Sequence, residues 1–237
     1  MIDFGIIAAG DGNRIKEEGS ILPKPLLEIQ DKPMIGRLIS LMEDCGANSI
    51  SIIVNSDMPD VAEYLDTLRG HLECGLKVAL RKTESSMHTM HELLKLMQPQ
   101  DKFIVTTVDT IFHGEDFFPY VNEFKKDSFS LDGLMGVTDF IDDEKPLYVD
   151  VDSKMQITGY LDIPHDNIRY VSAGIYGLRP SAIPVLEECV AKGVTRMRNF
   201  QRALIENGLK LDAYNLGKVI DVDHFSDIEK ADIFLTH

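Results

Sequence analysis

Cysteine is scarce in this chain: the 237 residues include three, far apart and without a Cys-x-x-Cys pair. A disulfide framework or a zinc ribbon needs more cysteines at closer spacing. Tryptophan is absent, and no apolar run approaches the ~20 residues that span a bilayer. The first residues show no basic leader. We therefore expect a cytoplasmic protein with reduced thiols and no membrane association.

Basic residues are also few, with 24 Lys and Arg against 39 Asp and Glu and a net charge of −15. Affinity for nucleic acid begins with basic side chains that neutralise phosphates, so no nucleic-acid partner is expected. The balance reverses between Arg14 and Arg37, where five basic residues face four acidic ones. This segment is suited to a small phosphorylated ligand.

Apolar runs alternate with helical periods over the first hundred residues. The runs lie at residues 4–9, 49–55, 76–80 and 102–108. The helical periods end at Gly46, Gly70 and just before Pro99, with ordinary C-terminal signals. Near-continuous apolar strands separated by helices predict a parallel sheet with right-handed crossovers.

The pattern changes after about residue 130. Strand-like segments follow at 131–137, 146–152, 155–161 and 170–178, then helices at 181–192 and 196–207, strands at 209–215 and 218–223, and a helix from about Ser226. Turn residues between the strands predict a mixed or antiparallel extension of the sheet. Since no linker or repeat interrupts the chain, we expect one α/β domain over 1–237.

The loop after the first strand, AAGDGNR, occupies a favoured phosphate site of open parallel sheets. Gly10 and Gly12 let backbone N–H groups approach an anion, and Arg14 and Lys24 can add full charges. The Rossmann fingerprint would need glycine at position 15, where Ile15 stands, and the P-loop motif is absent. The alternative is a flexible turn with incidental charge.

Three blocks, AAGDGNR, PKPLLEI and DKPMI, resemble the N-terminal signature of the sugar-nucleotide pyrophosphorylase (NTP-transferase) family, LAAGxGxR…PKPLLPVxGKPM. The resemblance implies a Rossmann-like GT-A type α/β fold, with a mixed, mostly parallel central sheet flanked by helices. It also implies transfer of a nucleoside monophosphate from an NTP to a sugar 1-phosphate. Residues 1–130 would form the nucleotide-binding half, and 131–237 the half that binds the acceptor and completes a metal site.

The same resemblance assigns roles within the first loop. The backbone of Ala8, Ala9, Gly10 and Gly12 would hold the nucleotide. Arg14 would bind the β- and γ-phosphates, and Lys24 the α-phosphate, where negative charge develops. A loop lysine is expected to contribute little to the core.

The resemblance implies magnesium as the cofactor. This hard ion prefers oxygen ligands, which carboxylates supply. Asp109 follows an apolar strand and matches the first metal aspartate of the family. The second comes from IDVDHFSD, in which both Asp221 and Asp223 are candidates. The alignment leaves the choice between these two residues open.

The acceptor half departs from the family pattern. Residues 161–164 read Leu-Asp-Ile-Pro where a Glu-Lys-Pro is common, so the lysine expected near the sugar phosphate is missing. Ser172 and Gly174, in a strand that resembles the sugar-pocket strand, are the acceptor candidates. Two alternatives remain: a cytidylyltransferase for a non-sugar phosphate such as phosphocholine, and a non-catalytic nucleotide-binding regulator.

Other motifs have simpler interpretations. His88, His91 and Glu92 share a helix face but lack the HExxH order, so surface or capping roles are commoner than metal binding. Asp-x-Asp pairs resemble those of glycosyltransferases, in which the PKPLL block is not expected. The methionines of the third helix fall at core spacing. The chain ends soon after the late aspartate motif, so we expect a single activity.

Overall fold

A computed structural model describes residues 2–126, 128 and 130–236 of the chain. Its first half alternates strands and helices, as the apolar runs predict. The strands are β1 (Ile2–Ala8), β2 (Glu28–Ile29), β3 (Lys32–Pro33), β4 (Ala47–Val54), β5 (Gly75–Leu80), β6 (Phe103–Thr107) and β7 (Thr110–Ile111). The helices are α1 (Asn13–Glu17), α2 (Met34–Asp44), α3 (Pro59–Leu68), α4 (Ser86–Met97) and α5 (Gly114–Lys125).

The second half begins with four strands of the main sheet, continues with two helices, and ends with two further strands and a helix. The strands are β8 (Gly133–Thr138), β9 (Tyr148–Val151), β10 (Ile157–Leu161), β11 (Tyr170–Leu178), β12 (Leu211–Asn215) and β13 (Ile220–Asp221). The helices are α6 (Ala182–Ala191), α7 (Met197–Glu206) and α8 (Phe225–Thr236). Each strand and helix predicted after residue 130 therefore has an observed counterpart.

One mixed sheet draws strands from both halves of the chain. In the described residues it has nine strands. Seven of them follow the order β10-β9-β11-β6-β1-β4-β5. The other two lie off this path: β8 pairs with β11, and β12 pairs with β8. β1 is parallel to β4 and β6, and β4 is parallel to β5. β11 runs antiparallel to β6, β8 and β9. The predicted Rossmann-like α/β fold, a parallel sheet with a mixed extension and flanking helices, is confirmed.

Two large apolar clusters cover the two faces of this sheet. One contains Leu38, Val61 and Phe117, from α2, α3 and α5. The other contains Met87 and Phe200, from α4 and α7. Burial of one such side chain stabilises the fold by about 1.5–3 kcal/mol. The predicted core role of the methionines of α4 is confirmed, because they are almost fully buried.

Helix α5 is absent from the sequence prediction. It begins at Gly114 and contains Pro119, two residues that favour helix ends or breaks. Its apolar side chains Phe117, Tyr120 and Phe124 are fully buried at helical spacing. Tertiary burial overrides local propensity at this helix.

A third apolar cluster joins the C-terminal helix to the N-terminal loop region. It contains Ile15 of α1, Ile29 of the β2–β3 hairpin, and Ala231 of α8. The hairpin turn has positive φ at both Gln30 (51°) and Asp31 (59°), as a type I′ turn requires. This packing places the late aspartates beside the loop after β1. Within the described residues, no helix has the length and apolarity to cross a membrane.

Candidate active site

Two adjoining cavities open at the carboxyl ends of β1 and β6, where ligands of open α/β sheets bind. The first has a volume of about 380 Å³ and is lined by Ala8–Gly12, Lys24 and Asp109 among others. The second, of about 250 Å³, is lined by Ser172, Ala173 and Asp221 among others. Arg14 and Asp223 line both cavities. The structure thus brings residues from both halves of the chain to one cleft.

The loop after β1 presents free backbone donors to the first cavity. No described residue accepts a hydrogen bond from the N–H of Gly10, Asp11 or Gly12. Gly12 has a φ of 63°, and a Cβ at this position would lie 3.1 Å from Lys24 Cβ. Glycine is therefore required where the loop passes Lys24, and the loop can receive an anion.

Asn55, a residue that the sequence analysis does not identify, holds this loop in place. It follows β4 directly and is 1% exposed. Its Nδ2 donates to the carbonyl oxygen of Ala9 at 3.2 Å and to Asp11 Oδ1 at 2.9 Å. A polar residue directly after an apolar run is the only sequence signal for this role.

Lys24 is buried rather than solvated. It is 8% exposed, and its Nζ donates to Asp109 Oδ2 at 2.6 Å and to Asp223 Oδ1 at 2.9 Å. Burial opposes its charge, but the two carboxylates outweigh burial and raise the pKa of Lys24. Burial likewise opposes ionisation of Asp109, and the Lys24 ammonium reverses this effect and lowers the pKa of Asp109. The sequence predicts a loop lysine that contributes little to the core, whereas the structure buries Lys24 against two carboxylates.

Arg14 contacts the same aspartate from the opening of the cleft. Its guanidinium donates to Asp223 Oδ2 and is about half exposed. Asp223 therefore bridges Arg14 and Lys24, the two cations that the sequence analysis assigns to phosphates. Both cations are thus paired with carboxylates of the chain.

Asp221 reaches the cleft through a short pairing between distant segments. β13 pairs antiparallel with β7 and places Asp221 opposite Thr110, and the N–H of Val222 donates to the carbonyl oxygen of Asp109 at 3.0 Å. Although Asp221 is open to the cleft, the surrounding protein and then the charge of Asp109 raise its pKa to about 8. The pairing of β13 with β7 therefore holds the carboxyl groups of Asp109 and Asp221 in the same part of the cleft.

This pair of carboxylates has the donor chemistry that magnesium prefers. Asp109 and Asp221 supply hard oxygens, and a cation between them would relieve their repulsion. No group of three or more His, Cys, Asp and Glu residues in the described chain is arranged to hold a metal, and this includes the His88, His91 and Glu92 face. Magnesium commonly needs only one or two carboxylates when phosphates complete its shell. The residues fit such an ion.

Gly174 packs against the strand ends that carry the aspartates. It has a φ of 70°, and a Cβ there would lie 2.7 Å from both Thr107 Oγ1 and Thr110 Oγ1. These hydroxyls are 2.5 Å apart, and Thr110 Oγ1 also donates to Asp221 Oδ1 at 3.4 Å. Gly174 thus permits a close approach of β11 to the threonines beside both aspartates.

Ser172 lies in the wall of the second cavity, but its hydroxyl has a partner. Its Oγ donates to Gln201 Oε1 at 3.1 Å, and Gln201 is buried on α7. Gln201 is a further residue that the sequence analysis does not identify. Its amide oxygen fixes the orientation of the Ser172 hydroxyl.

Asp227 and Glu18 stabilise the turn that carries Asp223. The Oδ2 of Asp227 accepts from the N–H of Asp223 at 3.1 Å and of His224 at 2.9 Å. Glu18 accepts from the N–H of Phe225 at 2.8 Å and contacts the His224 ring, whose pKa this hydrogen bond raises. Helix α1 and the start of α8 are thereby joined beside the cleft.

The glycine loop with free donors, the buried lysine and the paired carboxylates lie together at the carboxyl edge of a Rossmann-like sheet, an arrangement suited to a phosphorylated ligand. Residues 5–127 match the family of MobA-like NTP transferase domains. Since this match covers more than half of the sequence, the chain belongs to the MobA-like NTP transferase family.

Similarity to known proteins extends beyond the matched segment. The bifunctional protein GlmU of Methanococcus maripaludis strain C5 is 25% identical over 237 residues, which cover 97% of this chain and 53% of that relative. The chain thus spans about half the length of this curated relative.

Solved structures share the fold over nearly the whole chain. A Bacillus anthracis protein assigned as a glucose-1-phosphate thymidylyltransferase superposes with a TM-score of 0.85 at 19% identity, covering 99% of this chain and 95% of that one. The inositol-1-phosphate CTP transferase of T. maritima gives a TM-score of 0.78 at 16% identity, covering 98% and 96%. These TM-scores show a common fold.

Proposed function

We propose that this chain is a nucleotidyltransferase that moves a nucleoside monophosphate from an NTP to a sugar 1-phosphate, forming an NDP-sugar and pyrophosphate. The observation that carries the proposal is the position of Lys24. Its ammonium lies in the wall of the first cavity, which the free N–H groups of Gly10, Asp11 and Gly12 also line. Membership of the NTP transferase family supports the proposal.

The first cavity is the proposed nucleotide site. The loop of Ala8, Ala9, Gly10 and Gly12 surrounds the triphosphate, and its N–H groups donate to phosphate oxygens. Arg14 leaves Asp223 to bind the β- and γ-phosphates. Lys24 contacts the α-phosphate, and its raised pKa keeps it fully charged.

The reaction is an in-line exchange at the α-phosphorus. An oxygen of the acceptor phosphate forms a bond to this phosphorus, and the bond from phosphorus to the bridging oxygen of the β-phosphate breaks. Pyrophosphate leaves with the electron pair of that bond. The acceptor phosphate is ionised at neutral pH, so no general base is needed. Lys24 stabilises the charge that accumulates on the α-phosphate oxygens in the transition state.

Asp109 and Asp221 are the residues that we propose to hold Mg²⁺. The bound ion would neutralise triphosphate charge and orient the phosphates. Asp223 then serves as the counter-ion of Arg14 and Lys24 rather than as the second metal ligand. Its two carboxylate oxygens contact these cations, whereas no basic side chain in the described residues forms an ion pair with Asp221.

The second cavity is the proposed acceptor site, with Ser172 in its wall and Gly174 behind the neighbouring strand ends. A second candidate function is cytidylyl transfer to a non-sugar phosphate. It is supported by the Leu-Asp-Ile-Pro segment at 161–164, which lacks the lysine common in sugar transferases, and by the fold shared with an inositol-1-phosphate CTP transferase. A regulator that binds nucleotide without turnover is the remaining alternative.

We further propose that the enzyme acts in the cytoplasm on free nucleotides. Its net charge of −15 opposes binding to nucleic acid.

The test is pyrophosphate release from each of the four NTPs with Mg²⁺, against sugar 1-phosphates, phosphocholine and inositol 1-phosphate. Release that requires one NTP and one acceptor establishes the transferase and names both substrates. Nucleotide binding by calorimetry without release for any pair would contradict the proposed reaction. Release only with phosphocholine or inositol 1-phosphate would establish the second candidate.

A further inference from the structure

A third cavity, of about 720 Å³, lies between the region of residues 144–148, the segment after β10, and α7. Four basic side chains line it: Lys145, Arg196, Arg198 and Arg202. Only two carboxylates, Glu144 and Asp162, line the same cavity. In a chain with 24 basic and 39 acidic residues, this wall reverses the overall balance. The cavity therefore has a local positive field.

Two of these arginines are held in fixed positions. Asp162 lies 2.6 Å from Arg198 Nη1 and 2.8 Å from Arg202 Nη2. Arg198 also donates to the carbonyl oxygen of Lys145 at 2.8 Å, and Arg202 to that of Tyr160 at 3.1 Å. Both side chains are about one quarter exposed, at 28% and 25%. They form a rigid, partly neutralised frame.

The other two cations have no such compensation. In the described residues, no group accepts a hydrogen bond from the side chain of Arg196 or Lys145, and both residues are exposed. Arg196 also has a φ of 72°, a costly conformation for a residue other than glycine, and directly precedes α7. The fold thus holds a free guanidinium at the cavity wall.

The third cavity adjoins the proposed active site on two sides. Glu144 lines both the second and the third cavity. The N–H of Arg196 donates to Ser85 Oγ at 3.4 Å, and Ser85 lines the first cavity. None of the four cations lines the first or the second cavity. They therefore lie beside the two proposed substrate cavities but not in the walls of those cavities.

We propose that the third cavity binds an anionic group that the acceptor carries in addition to its reacting phosphate, either a second phosphate or a carboxylate. Arg196 and Lys145 supply the free charge, and Arg198 and Arg202 give the cavity its shape. Planar guanidinium groups suit both anions because their donors match pairs of oxygens. The inference rests on the proposed function and defines its acceptor class.

The first test measures anion binding without any turnover. Inorganic phosphate is titrated into the full chain while the side-chain Nε–H signals of Arg196 and Arg198 are followed by NMR. We expect saturable shifts of both signals. In the Arg196→Gln, Lys145→Gln double variant, the Arg198 signal should require about tenfold or more phosphate. The matched control is Lys77→Gln, which removes an exposed charge on β5 and should titrate like the parent.

The second test compares acceptors that differ by one acidic group. Pyrophosphate release is measured for glucose 1-phosphate against glucose 1,6-bisphosphate and glucuronic acid 1-phosphate, and for ethanolamine phosphate against phosphoserine. The proposal expects kcat/KM to be about tenfold or more higher for the more acidic member of a productive pair. The double variant should lose that preference, and Lys77→Gln should keep it.

The outcomes separate this inference from the proposed reaction. Absence of phosphate shifts at Arg196 and Arg198 overturns the anion site. Shifts combined with turnover that does not distinguish the members of a pair overturn the acceptor assignment and indicate a free anionic effector. Shifts with no pyrophosphate release from any NTP and acceptor contradict the proposed function itself, and with it the acceptor assignment.

Discussion

Lys24 Nζ lies 2.6 Å from Asp109 Oδ2, so the Pro-Lys-Pro block is tied to the carboxyl end of β6. This contact joins residues that are 85 positions apart in the chain. Through Asp223, the same ammonium also joins the turn before α8. One buried cation therefore connects three segments of the proposed active site.

Lys24→Met should reduce both turnover and stability. Removing a donor that stabilises transition-state charge lowers kcat by about 10²–10³. It also leaves Asp109 and Asp223 without their shared cation. Loss of one partner from a fully buried pair costs about 3–5 kcal/mol, and the partial exposure of these carboxylates reduces this to about 1–3 kcal/mol. Pyrophosphate release and urea unfolding measure the two effects.

The matched control for this substitution is Lys126→Met. Lys126 forms an exposed ion pair with Glu123, and such pairs contribute about 0–1 kcal/mol. Turnover of Lys24→Met at the parent rate would contradict the proposal that Lys24 contacts the α-phosphate.

Substitution of the two late aspartates should separate their roles. Asp221→Asn should lose most of the rate response to Mg²⁺, because it removes one of two proposed ligands. Asp223→Asn should retain that response and instead change the KM for the NTP, because Arg14 and Lys24 lose their counter-ion. Magnesium titrations of the rate test both statements. If Asp221→Asn responded to Mg²⁺ like the parent and Asp223→Asn lost that response, Asp223 rather than Asp221 would be the second metal ligand.

The raised pKa of Asp221 predicts how stability depends on pH in metal-free protein. An unfolded aspartate has a pKa of about 3.9, whereas desolvation by the surrounding protein and the charge of Asp109 raise the pKa of folded Asp221 to about 8. The contribution of this group is fully present below about pH 4 and is lost as pH rises through about 8. Asp221→Asn should therefore weaken the fall in stability between these pH values.

Urea unfolding of parent and Asp221→Asn across this range measures the difference. Magnesium should stabilise the parent at pH 8 and have much less effect on the variant, since a bound cation offsets the repulsion. Identical pH profiles for the two proteins would show that Asp221 ionises normally.

Gly174→Ala should disturb the threonines beside the aspartates. The added methyl group would lie 2.7 Å from Thr107 Oγ1 and Thr110 Oγ1, and the φ of 70° is unfavourable for alanine. We expect a loss of about 1–3 kcal/mol in stability together with reduced turnover. Gly159→Ala is the control, because a Cβ there meets no atom within 4 Å and the backbone φ is not positive. Equal behaviour of the two variants would contradict this account.

The parallel half of the sheet is predictable because its strands are near-continuous apolar runs between periodic helices. The pairing of β7 with β13 cannot be predicted from the sequence, because each strand has two residues and the partners are more than a hundred positions apart. The same limit applies to Asn55 and Gln201. Each is a single polar residue whose role depends on which distant loop or strand it meets. Burial of Lys24 also depends on such distant partners.

The bridge from Asp223 to Arg14 and Lys24 means that a carboxylate of the chain rests where substrate phosphates are proposed to bind. Under the proposed function, an incoming nucleotide would have to displace the Asp223 carboxylate before Arg14 and Lys24 could bind its phosphates. Stray anions of low charge, such as chloride or acetate, face the same competition and gain little from these residues. On that proposal, the cleft favours ligands with several phosphates, because these offer enough negative charge to replace Asp223 as the partner of the two cations.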